Sequence, residues 1–271
     1  MSVEEQVEAS SREGLSLVLP AFNEVHNIGP MLDAVRRELS RIGRPWEVVV
    51  VDDGSTDWTC GRVREHSLED SRISLVEHTV NQGYGAALRT GFAHTRHELV
   101  CFTDADRQFH LDDLNLLLER IEGCHLVAGF RAPRVDPWRR RMLGRAWTVG
   151  MNRLHGVNLR DVNCAFKLIR REALDSLYLE SRGAFINAEI VIGLRAQGFI
   201  VEECPVRHRP RPLGSQSGAN PSVIGRAVME AILYSSSRSV SGPRNWCSRM
   251  ASLTRTRRYP SSEASRDHLS T

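Results

Sequence analysis

The sequence predicts an α/β protein with a mostly parallel central sheet covered by helices, and three observations carry that prediction. Short apolar runs alternate with helical periodicity from Leu15 onward, the pattern of repeated βαβ units with right-handed crossovers. The runs are continuous rather than alternating, as in residues 46–51 and Leu99–Phe102, which suits strands buried on both faces. Polar, acid-bearing segments follow three of these strands: Pro20-Ala-Phe-Asn-Glu24, Asp52-Asp-Gly-Ser55 and Thr103-Asp-Ala-Asp106. In open α/β sheets the carboxyl edge of the strands is where ligands bind.

Taken in order, residues 15–20 read as the first strand. Ile28, Met31, Leu32, Val35, Leu39 and Ile42 then recur at helical spacing, with Asn27 placed to cap the helix and Gly43 to end it. Residues 46–51 form the second strand, 57–65 the second helix and 73–76 the third strand. The loop Asn81-Gln-Gly-Tyr-Gly85 leads into a helix over 86–94. The fourth strand starts at Leu99, a helix follows over 111–121, and 126–128 is the fifth strand. The second half is less regular. A helix is expected over 139–155, with Met142, Leu143, Ala146, Val149, Gly150 and Leu154 on one face. Strand residues mix with a basic end over 161–170, a helix is expected over 184–197 and a strand over 199–207. After a polar loop, 221–234 reads as an amphipathic helix with Val223, Ile224, Ala227, Val228, Ala231 and Ile232 apolar. The organisation expected is a flexible start over 1–13, one domain over 14–234, and a basic disordered tail over 235–271.

Composition narrows the classes. At 271 residues and 41% hydrophobic, the chain can bury a sizeable core, and a net charge of +3 is too small to argue for a nucleic-acid partner. The positive charge is almost all arginine, Lys167 being the only lysine. It clusters at Arg131, Arg134, Arg139, Arg140, Arg141 and Arg145, and again at Arg207, Arg209 and Arg211. The six cysteines are scattered with no C-x-x-C pair, which argues against zinc or a disulfide framework. A polar, acidic start without a signal peptide, and no apolar run of about 18 residues, set the expectation of a cytoplasmic protein.

The run from Leu99 ends in two carboxylates one residue apart, Asp104 and Asp106. Side chains alternate along a strand, so both point the same way if the extended geometry continues. Such a pair fits a hard divalent cation held by carboxylates and substrate phosphates; two exposed loop acids is the bland alternative. Asp52 and Asp53 offer acceptors for the N–H donors of a base or for ribose hydroxyls. A phospho-receiver also pairs acids after a strand, but it wants them after the first strand and a lysine after the fifth. Here the pair follows the second strand, and Gly129-Phe130-Arg131 follows the fifth. In Asn81-Gln-Gly-Tyr-Gly85, two glycines at a helix start allow close backbone approach and suit a phosphate, though a tight turn explains the same residues.

Val18-Leu-Pro-Ala-Phe-Asn-Glu24, Val51-Asp-Asp-Gly-Ser-Thr-Asp57, Asn81-x-Gly-x-Gly-x-Ala87 and Asp104-Ala-Asp106 together resemble a family 2 glycosyltransferase with the GT-A fold, a Rossmann-like nucleotide-diphospho-sugar transferase. Asp161-Val-Asn-Cys-Ala-Phe-Lys-Leu168, Phe185-Ile-Asn-Ala-Glu189 and Arg207-His-Arg-Pro-Arg211 narrow the resemblance to the polyprenyl-phosphate branch, the dolichyl-phosphate mannosyltransferase-like enzymes. The likeness covers residues 15–234.

The resemblance implies inverting, metal-dependent transfer of a hexose, mannose or glucose, from a nucleoside diphosphate sugar to a polyprenyl (dolichyl-type) phosphate. Pro20, Ala21, Glu24 and Asp52 would hold the donor nucleotide, with Asn81 and Gly83. Asp104, Asp106 and Gln108 would bind Mg²⁺ or Mn²⁺ on its diphosphate. Arg131, Arg209 and Arg211 would take the acceptor phosphate, guanidinium matching phosphate bidentately. Asp161 would orient the acceptor or an arginine, or act as base toward a hydroxyl acceptor. A structural salt bridge is the equal alternative there, and Glu189 carries the same ambiguity. A phosphate monoester, with a second pKa of about 6, needs no strong base. Membrane contact would come from the 221–234 helix and nearby arginines, or through a membrane-anchoring subunit, which places the protein peripherally on the cytosolic membrane face. No nucleic acid is expected as partner. The alternatives are a saccharide or secondary-metabolite acceptor, and a non-catalytic nucleotide-binding or receiver-like module.

Overall fold

The structure is a computed structural model and describes residues 14–213 and 221–240. One seven-stranded sheet comprises β1 (Leu15–Ala21), β2 (Trp46–Asp52), β3 (Ile73–Glu77), β4 (Leu99–Phe102), β5 (Leu126–Arg131), β6 (Lys167–Arg170) and β7 (Val201–Val206), in the order β3-β2-β1-β4-β6-β5-β7. The first four are mutually parallel, and β5 and β7 pair in parallel. β6 is antiparallel to both of its neighbours, β4 and β5. The continuous apolar runs behave as expected of two-sided burial: Val48, Val49, Val50 and Val51 are all fully buried.

The helices are α1 (Val25–Ile42), α2 (Thr59–Glu69), α3 (Tyr84–His94), α4 (Leu114–Arg120), α5 (Trp138–His155), α6 (Arg171–Asp175), α7 (Ile186–Ala196) and α8 (Pro221–Val240). Ile28, Met31, Leu32, Val35 and Leu39 of α1 join Leu15, Leu17, Leu19, Val48 and Val50 in the main core. Gly43 ends α1 in the left-handed conformation, φ 74°, as expected of a helix-terminating glycine. Asn27 does not cap it. The helix begins two residues earlier, and its first free amides are taken by the neighbouring turn: Glu24 N donates to Thr59 Oγ1 at 2.8 Å and Val25 N to Asp57 Oδ2 at 3.2 Å. The expected 111–121 helix is a short α4 between two 3-10 turns, Leu111–Asp113 and Ile121–Gly123.

Two differences matter for function. First, β6 lies between β4 and β5, with Phe102 opposite Lys167. Because β6 runs the other way, the segment before it emerges where β4 ends, and residues 161–166 join the carboxylate edge. Second, the apolar face expected to seat α5 is not buried. Thr148 and Met151 face inward, while Trp138, Met142, Leu143, Val149 and Leu154 are exposed. Helix α8 extends past Tyr234 to Val240, and the expected N-terminal segment and the tail beyond Val240 lie outside the described residues. Two compact units divide between Val228 and Met229. Cys60, Cys101, Cys124, Cys164 and Cys204 are all free thiols. Among the described residues no helix is long and apolar enough to cross a membrane.

Candidate active site

The loops after β1 and β2 are laced into one unit. Asn23, at φ 55°, donates its N–H to Ser55 Oγ at 2.8 Å and accepts from Thr56 N at 2.8 Å. Asp52 ends β2 and is 1% exposed. Its Oδ2 accepts from Ser55 N at 2.9 Å, while Oδ1 is buried and, among the described residues, accepts from no N–H donor; the Cys60 thiol hydrogen-bonds to the carboxylate. The Cys60 thiol beside it is pushed up to about 12 by burial and by Asp52. A buried acceptor left open at a sheet edge fits an incoming N–H or O–H donor.

Asp53 points elsewhere. It accepts from Gln82 N at 2.9 Å and Gly83 N at 2.8 Å, and faces His78 Nδ1 at 2.7 Å. The N–H expected to meet a nucleotide phosphate at Gly83 is therefore committed to Asp53. The glycines answer a packing need instead. Gly83 has φ 103°, and a Cβ there would lie 2.4 Å from Arg182 O; at Gly85 it would lie 2.4 Å from Ser181 O. That facing segment is held by Glu189, which accepts from Glu180 N at 3.0 Å and Ser181 N at 3.1 Å, so Glu189 is structural. Pro20 and Ala21 are buried within β1, shaping the loop from behind, and Asn81 is exposed at the rim.

Asp104 and Asp106 converge, but not by strand alternation: β4 stops at Phe102 and the chain turns at Ala105-Asp106. Arg107 takes φ 62° at that turn, a conformation a non-glycine residue adopts only when its surroundings enforce it. Arg209 Nε donates to Arg107 O at 2.6 Å, and Arg209 N to Gln108 O at 2.9 Å. Gln108 N donates to Asp106 Oδ1 at 3.1 Å and its Nε2 to Arg209 O at 3.3 Å. Burial pushes both carboxyls up. Asp106 reaches about 7, with the charge of Asp104 as the second cause. The Tyr84 hydroxyl is buried beside Asp104 and is itself held well above the usual tyrosine value by that burial. Glu24 accepts from Asn27 Nδ2 at 2.8 Å and from Arg211 Nη2 at 2.6 Å, so it bridges to the strap after β7 rather than facing a ligand alone.

Two carboxylates that burial and the neighbouring charge of Glu24 keep from ionising freely are a good fit for Mg²⁺ or Mn²⁺, which favour oxygen ligands. Among the described residues no group of three or more His, Cys, Asp or Glu is arranged to enclose a cation. Asp104 and Asp106 would thus supply part of a coordination sphere, with Gln108 beside them and room for water or diphosphate oxygens.

The third part is an ion-pair cluster. Arg131, at the end of β5, grips Asp161 with Nε–Oδ2 at 2.6 Å and Nη2–Oδ1 at 2.9 Å. Asp136 joins Arg131 at 3.4 Å, Arg134 at 2.7 Å and Arg140 at 3.3 Å. Burial opposes ionisation of Asp161, but the arginine overrides it and keeps the carboxyl below its usual range. Arg131, expected on the acceptor phosphate, is thus committed to aspartates. Arg209 differs: among the described residues its terminal guanidinium nitrogens have no partner. Sequence reasoning missed Asp136 and Lys167. The lone lysine, fully buried in an apolar strand, was the available signal. Its Nζ donates to Val162 O at 3.1 Å, to Asn187 Oδ1 at 3.2 Å and to Cys164 O, and burial pulls it down to about 8.

The fold is that of the GT-A class. Glucosyl-3-phosphoglycerate synthase from Mycobacterium tuberculosis, solved with Mn²⁺ and UDP-glucose, superposes with a TM-score of 0.63 at 23% identity, over 87% of this chain and 83% of that one. The model of glycosyl transferase family 2 matches residues 16–178, and the chain belongs to that family. Dolichyl-phosphate beta-glucosyltransferase ALG5A of Trichomonas vaginalis is 34% identical over 211 residues, 71% of this chain and 64% of that protein. The dolichyl-phosphate beta-glucosyltransferase of Saccharomyces cerevisiae is 30% identical, over 71% of this chain and 66% of its own length. Undecaprenyl-phosphate 4-deoxy-4-formamido-L-arabinose transferase of Pseudomonas aeruginosa is 30% identical, over 71% of this chain and 56% of its own length. The chain thus spans less than two thirds of the length of these relatives. The resemblance to the polyprenyl-phosphate branch of family 2, read from seven motifs, agrees with these relatives.

Proposed function

We propose that the protein transfers a hexose from a nucleoside diphosphate sugar to a polyprenyl phosphate, with inversion and with Mg²⁺ or Mn²⁺ at Asp104 and Asp106. The observation that carries this reading is the buried Asp104–Asp106 pair, both raised by burial and Asp106 also by the charge of Asp104, at the same sheet edge as Asp52 Oδ1. Asp52 Oδ1 receives a donor N–H or O–H from the nucleoside. When bound, the cation neutralises charge developing on the departing diphosphate. Arg209, whose Nε is held by Arg107 O, turns its terminal guanidinium nitrogens to the acceptor phosphate, and Arg211 joins it once released from Asp106. The Arg131–Asp161 pair then forms a rigid wall rather than a phosphate hand. The relatives named as glucosyltransferases favour glucose over mannose.

A lipid acceptor requires a way onto the membrane surface. Helix α5 exposes Trp138, Met142, Leu143, Val149 and Leu154 beside Arg139, Arg141, Arg145 and Arg153, and contains no acidic residue. Apolar side chains mixed with exposed arginines suit the headgroup region of an anionic leaflet. Its first turn is tied to the ion-pair cluster by Arg140, so contact there brings the bilayer to the acceptor end of the crevice. Helix α8 adds exposed Ile224 and Val228. These exposed faces support a peripheral position on the cytosolic face; a membrane-anchoring subunit would serve the same need.

The test is incubation of the purified chain with Mg²⁺ or Mn²⁺, a short polyprenyl phosphate and a panel of GDP- and UDP-sugars, with Asp106→Ala alongside. Mass spectrometry should find a sugar-phosphate lipid with wild type only. Nucleotide binding with donor hydrolysis and no lipid product would overturn the acceptor.

A further inference from the structure

We infer that Arg211 is a built-in counter-ion competing with the divalent cation for Asp106, so that cation binding and release of the Arg211 guanidinium are one linked event. This rests on the assignment of the cation to Asp104 and Asp106. Arg211 Nη2 lies 2.6 Å from Glu24 Oε1, and Nη1 lies 3.6 Å from Asp106 Oδ2, with all three side chains 11% exposed. One guanidinium therefore spans the loop after β1 and the acidic turn after β4.

Two other nearby cations are locked elsewhere. Arg131 is forked onto Asp161, and Lys167 is locked beneath Phe102 by two carbonyls and Asn187. Among the described residues Arg211 is the one cation paired with Asp106. Its grip there is the loosest of its three, beside Glu24 Oε1 at 2.6 Å and Leu213 O at 2.7 Å: 3.6 Å is an ion-pair distance, too long for a good hydrogen bond.

Arg211 Nε is tied to its own strap, donating to Leu213 O at 2.7 Å, so the guanidinium can turn from Asp106 while its Nε stays in place. The strap after β7 is fixed independently, by Arg209 N on Gln108 O at 2.9 Å, Gln108 Nε2 on Arg209 O at 3.3 Å, and the Phe109–His208 bridge. A divalent cation at Asp106 places like charge against the guanidinium and takes that partner from Nη1, while Glu24 Oε1 and Leu213 O remain on Nη2 and Nε. Released from Asp106, Nη1 turns its N–H donors to phosphate oxygens in the same crevice. By linkage, phosphate held on Arg211 then favours the cation, and the cation favours phosphate.

The experiment is direct titration of the full chain with Mn²⁺ alone, reading free Mn²⁺ by electron paramagnetic resonance, without nucleotide. Arg211→Gln should bind Mn²⁺ about tenfold more tightly than wild type, the scale on which one neighbouring charge moves a carboxylate's affinity for a proton. Arg211→Lys, which keeps the charge, should stay near wild type, and Asp106→Asn should lose the binding. If Arg211→Gln binds equally or more weakly while Asp106→Asn loses binding, the counter-ion is overturned and the cation site stands. The same holds if Arg211→Lys binds as tightly as Arg211→Gln. If Asp106→Asn titrates like wild type, the cation assignment itself falls.

Discussion

Arg131 and Asp161 form a two-pronged pair, Nε–Oδ2 2.6 Å and Nη2–Oδ1 2.9 Å, with both side chains 7% exposed. Removing one partner strands the other charge in a desolvated site. Asp161→Ala should therefore cost about 3–5 kcal/mol of folding stability, measured by urea unfolding. A loss below about 1 kcal/mol, the scale of exposed pairs, would mean the cluster is not structural. The pH dependence has a definite sign. Because Asp161 is held below its usual 3.8, its stabilisation is present above that value and disappears as pH falls through the lowered one. The gap between wild type and Asp161→Asn should close on acidification.

Asp106 behaves in the opposite sense. Its carboxyl is raised from 3.8 to about 7, so its contribution is greatest below 3.8 and is lost as pH climbs through 7. In metal-free protein, Asp106→Asn should raise the Tm at pH 8 and change it little at pH 5. A raised Tm of equal size at both values would show that charge is not the cause.

Asp52→Asn should weaken nucleoside diphosphate binding roughly 10- to 100-fold, the worth of a hydrogen bond to a charged acceptor, while leaving the Tm near wild type. Calorimetric titration with GDP and UDP reads both the loss and the base preference. Unchanged affinity for each nucleotide would remove Asp52 from the nucleoside site.

At Gly83 and Gly85 the obstacle is carbonyl oxygen at 2.4 Å, which cannot swing aside as a side chain would. Each alanine substitution should cost about 1–3 kcal/mol by overpacking, with φ 103° adding strain at Gly83. Retained stability in Gly83→Ala, followed by heat denaturation, would contradict the close approach.

Trp138→Ser with Met142→Ser should abolish most cosedimentation with vesicles containing phosphatidylserine. Arg139→Glu with Arg141→Glu should steepen the loss at low salt, where surface charge is least screened. Binding unchanged by either pair would exclude α5 as the contact.

The sequence made the first half of the fold and the place of the site readable, because both rest on local signals. Continuous valine runs mark strands buried on both faces, and acids immediately after them mark the carboxyl edge. What escaped depends on partners remote in the chain. Asp52 and Asp53 look alike in sequence, and only Gln82, Gly83 and His78 reveal that one is a clamp. Asn27 has the composition of a cap, yet Asp57 and Thr59 take that role. Nothing local announces that Arg131 meets Asp161 or that Arg211 meets Glu24. The apolar face of α5 has helical periodicity, which reports amphipathicity but not which side meets the core.

The antiparallel insertion of β6 also dictates an order of assembly. β1 to β4 can pair as soon as Phe102 has been made, but β5 has no place beside β4, because the strand between them is built from Lys167–Arg170. Until that short strand arrives, Leu99–Phe102 is an unpaired apolar edge, open to any other strand in reach. Nascent or truncated chains ending before Lys167 are thus the most prone to aggregate, and the strand bearing the only lysine acts as the keystone between the two halves.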